Sequence, residues 1–226
     1  MSSRTITVAA DRPQTLGEEI ANAISHGIGF LLAIASLPIL IACNAHAGHA
    51  VNLVALCVFS VTMMLLYLAS AAYHAAPEGQ VKAWLNRLDH AAIYLFIAGS
   101  YTPFALGVLH GGLGWVLFGA VWAMAAAGVA VKLLNLLRHP LWSTGLYVAM
   151  GWFELVCAAP LIHAMSWAGL AWLLAGGVAY TVGAVVFMFD SRGRYLHFVW
   201  HLFVLAGTTC HFFAALFYSV PATVSA

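Results

Sequence analysis

The sequence has very little charge. Eight Lys or Arg and seven Asp or Glu occur among 226 residues, so 7% of the chain is charged while 64% is hydrophobic. Soluble domains carry roughly a quarter charged residues, so this composition excludes an ordinary soluble fold and predicts a membrane protein. The formal net charge of +1 also argues against nucleic acid as a partner.

Two other features are missing. The four cysteines form no Cys-x-x-Cys pair, so the sequence indicates neither a redox pair nor a thiolate zinc ribbon. No small-residue cleavage site follows a short apolar core, so no signal peptide is expected. We expect residues 1–18 to form a short cytoplasmic arm, residues 19–219 a single transmembrane domain and residues 220–226 a short outer tail.

The few charges divide the chain into long apolar blocks. A helix needs about 20 apolar residues to cross a bilayer. Residues 20–77, 90–131 and 142–189 are each long enough for two helices, and residues 196–218 for one. The sequence therefore predicts an all-α integral membrane protein with seven transmembrane helices.

The basic residues predict the orientation. Each basic residue either precedes the first span or follows an even-numbered span. The loops after the odd-numbered spans have no Lys or Arg. The positive-inside rule then places the N-terminus in the cytoplasm and the C-terminus outside, in the plasma (inner) membrane. These residues are Arg4, Arg12, Lys82, Arg87, Lys132, Arg138, Arg192 and Arg194.

Histidine, in contrast, is abundant, with eleven residues. Five fall in predicted loops, where solvated side chains are expected: His46, His49, His110, His139 and His163. The others lie in spans or at their ends, where ionisable groups are costly and are usually paired or functional.

The strongest cluster lies at the cytoplasmic ends of three spans. His197 and His201 are four residues apart, hence on one helical face, a spacing found in helical zinc sites and also in interfacial histidines that bind nothing. His74 ends the second span at the same level, and Asp89 is expected to open the third. Three imidazoles and a water form the usual open zinc shell, with a carboxylate to hold the water, so the combination favours a metal site.

The first span adds polar residues to this layer. Glu19, Asn22 and His26 share a helical face and could orient the imidazoles, or Glu19 could simply favour the helix dipole. Ser70 lies one turn before His74, although a serine within a helix often bonds its own backbone.

These motifs resemble the progesterone and adipoQ receptor superfamily, in its bacterial hemolysin III branch. The pattern is Glu19-x-x-Asn22-x-x-x-His26, then Ser70-x-x-x-His74 with Asp89, then His197-x-x-x-His201. The resemblance implies Zn²⁺ held by His74, His197 and His201, a zinc-bound water hydrogen-bonded to Asp89, and assistance from Ser70.

The resemblance also implies a function. A zinc-dependent hydrolase of membrane-lipid amides or esters, similar to the ceramidases and affecting membrane-lipid homeostasis, is the first expectation, with membrane lipid as the partner. A non-enzymatic sensor with structural zinc and a membrane-permeabilising protein are the alternatives. Homo-oligomerisation is left open.

Two buried ionisable residues stay outside this cluster. His211 lies ten residues beyond His201, about 15 Å deeper by the rise of a helix, too far to reach the same ion. We expect it to be a buried, hydrogen-bonded histidine that lines a cavity. Glu154, within the fifth span, could belong to a proton or substrate path or be protonated and bonded to a neighbour.

Overall fold

The computed structural model describes residues 12–45, 50–136 and 140–219. Within these ranges the protein is helical throughout, with no β-strand. The predictions made for His46, His49 and His139 lie outside the described residues. The main helices are α1 (Leu16–Asn44), α2 (Ala50–Ala75), α3 (Gln80–Pro103), α4 (Gly111–Leu133), α5 (Pro140–Gly151), α6 (Ala158–Ala164), α7 (Trp167–Phe187) and α8 (Leu196–Tyr218).

Seven segments of the described chain are long and apolar enough to cross a membrane, which confirms the predicted span number. Five of them are single α-helices: α1, α2, α4, α7 and α8. The third span continues α3 into a π-helical segment (Phe104–Leu109), and the fifth (Trp142–Ala164) joins most of α5 to α6. The protein is a multi-pass membrane protein.

The start of α1 is fixed by a capping box. The Thr15 hydroxyl accepts a hydrogen bond from the Glu18 backbone N–H, and the Glu18 carboxylate accepts one from the Thr15 N–H at 2.9 Å. This reciprocal pair satisfies two backbone donors that the first turn leaves free. The helix therefore begins at Leu16, within the segment that the sequence predicted as an arm.

The third span begins earlier than the sequence predicted. We expected Asp89 to open it, but α3 starts at Gln80, and Asp89 is buried in the third helical turn. The prediction was wrong because charged residues marked the edge of the apolar run, not the edge of the helix. Lys82 is buried and pairs with Glu19, and Arg87 lies over the Trp84 ring, so both charges are accommodated within the helix.

The fifth span is broken near its middle. Trp152 and a 3₁₀ turn (Phe153–Cys157) separate α5 from α6. The Tyr101 hydroxyl lies 2.7 Å from the Gly151 carbonyl, to which it donates, and accepts a hydrogen bond from the Glu154 N–H at 2.9 Å. Lipid offers no partners for freed backbone groups, so a tyrosine from α3 is needed to hold this break.

Close packing brings α1, α2 and α8 together. A Cβ on Gly29 would lie 2.7 Å from the Tyr67 ring, so only glycine allows this approach of α1 to α2. The Tyr67 hydroxyl then donates to the Thr208 hydroxyl of α8 at 2.8 Å. Small residues that admit close backbone approach, with polar side chains bonded across helices, are the usual source of helix association in lipid. The two helices that carry the histidine cluster, α2 and α8, are thereby held in fixed register with α1 beside them.

The orientation across the membrane stays a prediction. A reporter that is active only outside the cytoplasm should give signal when fused after Tyr218 and none when fused after Asn86, because the basic residues lie at the ends of the spans assigned to the cytoplasm. Measuring reporter activity in intact cells checks it. Signal from the Asn86 fusion and none from the Tyr218 fusion would reverse the topology.

Candidate metal centre

Three histidines from two helices meet at the end of the bundle that carries the basic residues. His74, in the last turn of α2, faces His197 and His201 in the first turns of α8. One ring nitrogen from each of the three lies within 4.8 Å of the others, a spacing that could hold a metal ion. His74 and His201 are buried and His197 is nearly so. The structure thus brings together the three histidines that the sequence singled out.

The His74 ring is hydrogen-bonded to one member of an ion pair. Its Nδ1 lies 2.7 Å from the Glu19 carboxylate, whose other oxygen accepts from the Lys82 ammonium at 2.8 Å. An ionised carboxylate only accepts hydrogen bonds, so Nδ1 of His74 carries the proton. The lone pair of the ring is consequently on Nε2. Glu19 occupies the place that the sequence suggested for an imidazole-orienting residue, and that role stays a prediction.

The His201 ring is oriented by a serine that the sequence analysis did not identify. The Ser25 hydroxyl donates to the Asn22 carbonyl at 2.9 Å and lies 3.0 Å from Nδ1 of His201. Since the serine proton is directed to Asn22, the serine oxygen accepts from the Nδ1–H of His201. The lone pair of this imidazole is therefore also on Nε2. Asn22 contributes through its backbone, while its side-chain amide donates to Gln14.

The His197 ring is oriented by Asp190, the second residue that was missed. Nδ1 of His197 lies 2.9 Å from the Asp190 carboxylate, which belongs to the short turn before α8. The same acceptor argument places the proton on Nδ1 and the lone pair on Nε2. Asp190 could have been suspected from its position seven residues before His197. However, it lies two residues before Arg192, and such a charge pair is typical of an ordinary loop.

The three Nε2 atoms share one property that is uncommon for buried groups. Each is buried and has no hydrogen-bond partner among the described residues. Buried polar atoms are nearly always paired, because leaving one unpaired costs about 1–3 kcal/mol. Three unprotonated nitrogens without partners in the described ranges, each on a ring whose other nitrogen is held by an oxygen acceptor, match the way metal-binding histidines are built in proteins. The residues present therefore fit a metal ion.

Three further polar side chains, His26, Ser70 and Asp89, lie beside the three histidines and are called here the second polar chain. Nδ1 of His26 lies 2.7 Å from the Ser70 hydroxyl, and that hydroxyl interacts with the Asp89 carboxylate. The His26 ring stacks on His201 with centroids 3.5 Å apart. His26 does not belong to the converging group, although its own Nε2 is buried and without a partner in the described part of the chain. The roles predicted for Ser70, Asp89 and His26 stay predictions.

The backbone just before α8 is held in an unusual conformation. Tyr195 has φ of 61°, in the left-handed region that residues other than glycine rarely adopt. Its N–H donates to the Glu18 carboxylate at 2.8 Å, and the Arg12 guanidinium bonds both Glu18 and the Gly193 carbonyl. The Glu18 carboxylate in turn raises the pKa of Arg12. This clasp fixes the start of α8, and hence the position of His197 two residues later.

An elongated cavity begins beside the second polar chain. The positions that the centre of a water molecule can occupy inside it fill about 120 Å³. Asp89, His26 and His90 line one end. His211 lines it further along, as the sequence predicted, although neither of its ring nitrogens forms the expected hydrogen bond of normal geometry among the described residues. The walls between are mostly apolar and aromatic, including Phe96 and Trp200. The arrangement places a carboxylate and imidazoles at the end of a pocket suited to hydrocarbon.

Comparison with known proteins gives a consistent result. The family described as Haemolysin-III related matches residues 14–212. The chain is 43% identical over 206 residues to the Hemolysin-3 homolog of Bacillus subtilis (strain 168), covering 91% of this chain and 96% of that protein. It is 44% identical over 208 residues to Hemolysin-3 of Bacillus cereus, covering 92% and 94%.

A more distant similarity extends to animals. The human Monocyte to macrophage differentiation factor is 26% identical over 166 residues, which covers 70% of this chain and 67% of that protein. The matched family segment contains all eight residues that the sequence predicted for the site.

Proposed function

Because the chain belongs to the haemolysin-III related family, within the progesterone and adipoQ receptor superfamily, we propose that it is a zinc-dependent hydrolase of membrane-lipid amides or esters. The family membership and the seven spans make it a multi-pass protein of the plasma membrane. The metal, the reaction and the substrate are the proposal, and they rest on the residues of the metal centre and the cavity beside it.

One observation carries the proposal. His74, His197 and His201 each bring one ring nitrogen to a common point, and their Nε2 atoms are buried and lack partners among the described residues. Three neutral imidazoles are a donor set that zinc prefers, and with three protein ligands a fourth position is left for water or substrate. A structural zinc site would usually supply four protein ligands, so the donor set favours a catalytic metal.

Zinc, when bound, supplies Lewis acidity, which polarises a carbonyl group and lowers the pKa of a water molecule towards 7. The chain's own residues prepare the site for it. Glu19, Ser25 and Asp190 hold the three Nδ1 protons and so keep the opposite nitrogens free for the metal.

Asp89 supplies the base. It is a buried carboxylate at the end of the cavity, and its interaction with the Ser70 hydroxyl leaves acceptor capacity for a water molecule. A carboxylate placed in this way accepts the proton of the attacking water and returns it to the leaving amine or alcohol. Ser70 and His26 hold the carboxylate in position.

The cavity defines the substrate class. Its mostly apolar walls suit a hydrocarbon chain, and the polar groups at the Asp89 end suit the amide or ester carbonyl to which that chain is attached. A lipid whose polar head lies at the membrane surface and whose acyl chain enters the bundle fits both conditions. The membrane lipids themselves are therefore the proposed substrates.

The function is tested with purified protein in liposomes that contain ceramide-type amides and phospholipid esters. Zinc-loaded protein should release free fatty acid, measured by mass spectrometry, and a chelator should stop the release. A trapped dye tests membrane permeabilisation in the same sample and should remain inside. Fully zinc-loaded protein that releases no fatty acid from either lipid class would contradict the hydrolase and favour zinc as a structural link between α2 and α8.

A further inference from the structure

The far end of the cavity contains groups that the proposed reaction does not use. Asp89 and His26 line one end of the cavity, and Tyr101, Glu154 and His211 line it away from that end. An acid and an imidazole within a membrane bundle are expensive to keep, so their presence in a cavity with mostly apolar walls requires a reason.

The carboxyl group of Glu154 has no polar partner in the part of the chain that the structure describes. Its backbone N–H bonds the Tyr101 hydroxyl, but within the described ranges its side chain forms no hydrogen bond and no ion pair. The group is not sealed by packing and faces the cavity. The basic residues that could neutralise it lie at the opposite end of the bundle, with Lys82 bonded to Glu19 and Arg12 to Glu18.

His211 also lines the cavity. Its ring contacts Gly176 so closely that a Cβ there would lie 2.2 Å from the ring, and it meets the Tyr180 ring edge to face. Neither ring nitrogen has a hydrogen-bond partner of normal geometry among the residues described. The ring is thus fixed in place by packing, and its one polar neighbour among the described residues is the Leu173 backbone.

The backbone at this point is also irregular for a membrane span. Glu154 lies in the 3₁₀ turn that interrupts the fifth span, and the Trp152 indole next to it donates to the Thr181 hydroxyl at 2.9 Å. Non-helical backbone at membrane depth is tolerated where it lines a cavity, and interrupted spans commonly mark binding sites. The break therefore places Glu154 at the cavity and not in lipid.

The two ends of the cavity are separated by a definite length. Asp89 and Tyr101, whose hydroxyl holds the Glu154 backbone, are both in α3, twelve residues apart. At about 1.5 Å per residue, this separation is about 18 Å along the helix. An extended palmitoyl chain has a similar length, so a chain with its carbonyl at Asp89 would end near Glu154.

We infer that Glu154 is a binding residue for a hydroxyl group near the methyl end of the bound acyl chain, and that hydroxylated long-chain lipids are the preferred ligands. The inference rests on the proposed function for what occupies the Asp89 end. A plain methyl end would leave the carboxyl group buried without a partner. A hydroxyl both donates and accepts, so it satisfies that group in either protonation state.

Ligand binding tests this site without requiring turnover. Palmitate and ω-hydroxypalmitate are titrated into zinc-loaded protein in detergent, and binding is followed by fluorescence of the cavity tryptophans Trp152 and Trp200. The hydroxylated acid should bind about tenfold more tightly, because a site built to hydrogen-bond a hydroxyl discriminates against the analogue that lacks it.

Substitutions at Glu154 locate the preference. Glu154→Leu should abolish it without weakening palmitate binding, and Glu154→Gln should keep most of it. Glu78→Leu, the same change at an exposed acid outside the cavity, should leave it intact. Equal affinity of the wild type for both acids, no binding of either, or an unchanged preference in Glu154→Leu would overturn the inference. A protein that shows the preference yet hydrolyses no lipid would instead contradict the proposed reaction and keep this site.

Discussion

Replacing His197 and His201 together with alanine is expected to remove nearly all bound zinc and to destabilise the protein. Two of the three converging nitrogens disappear, and one imidazole cannot retain the ion. A ligand present at a thousand times its Kd stabilises by about 4 kcal/mol, and each kcal/mol shifts the Tm of a chain this size by roughly 2–4 °C. The expected fall in Tm is therefore on the order of 10 °C. Elemental analysis and thermal unfolding in detergent measure both quantities.

A chelator separates the loss of metal from the loss of packing. Chelation should lower the Tm of the wild type but leave the double variant unchanged, since the variant has no zinc to lose. His110→Ala and His163→Ala are matched controls, because both histidines are exposed and lie outside the cluster, and they should behave like the wild type. Wild-type zinc content in the double variant would refute the assignment of the ligands.

The second large effect is expected at Asp89. Asp89→Asn keeps the shape of the side chain and an acceptor oxygen but removes the base, so the protein should fold and retain zinc while losing lipid hydrolysis. General bases contribute about 10²–10⁴-fold to rate, so fatty-acid release should fall by that factor. Zinc content, Tm and fatty-acid release are measured on the same preparation, so that loss of activity is not confused with loss of fold.

The other outcomes at Asp89 have equally definite meanings. Loss of zinc in Asp89→Asn would make Asp89 a metal ligand and would contradict its role as the base. Unchanged fatty-acid release with zinc still bound would show that another group takes the proton. Ser70→Ala, which leaves the carboxylate in place but removes its hydroxyl partner, should produce a smaller loss than Asp89→Asn.

The sequence predicted the spans and the histidine cluster because both depend on one-dimensional patterns. Apolar length sets the number of membrane crossings, and the antiparallel order of spans places the end of α2 beside the start of α8. The i, i+4 spacing then puts His197 and His201 on one face. These arguments need no knowledge of side-chain contacts, so they identified His74 as the third member before any geometry was considered.

The groups that contact the Nδ1 atoms of His201 and His197 could not be obtained in the same way. Ser25 contacts His201 where Gly29 lets α1 approach its neighbours closely, and Asp190 contacts His197 across the left-handed residue Tyr195. Both depend on tertiary contacts between segments far apart in the chain. The start of the helix that contains Asp89 was predicted wrongly for another reason. Charged residues mark the edge of the apolar run, and the helix begins earlier than that edge.

Zinc-edge X-ray absorption spectroscopy of the purified wild type tests the central claim most directly. We expect one zinc per chain with three imidazole nitrogens at about 2.0–2.1 Å and one oxygen ligand, the signature of an open three-histidine site. His26→Ala should leave that signature unchanged, because His26 stacks beside the site without joining it. A chain without zinc, or a shell made of four protein ligands or of sulfur, would contradict it.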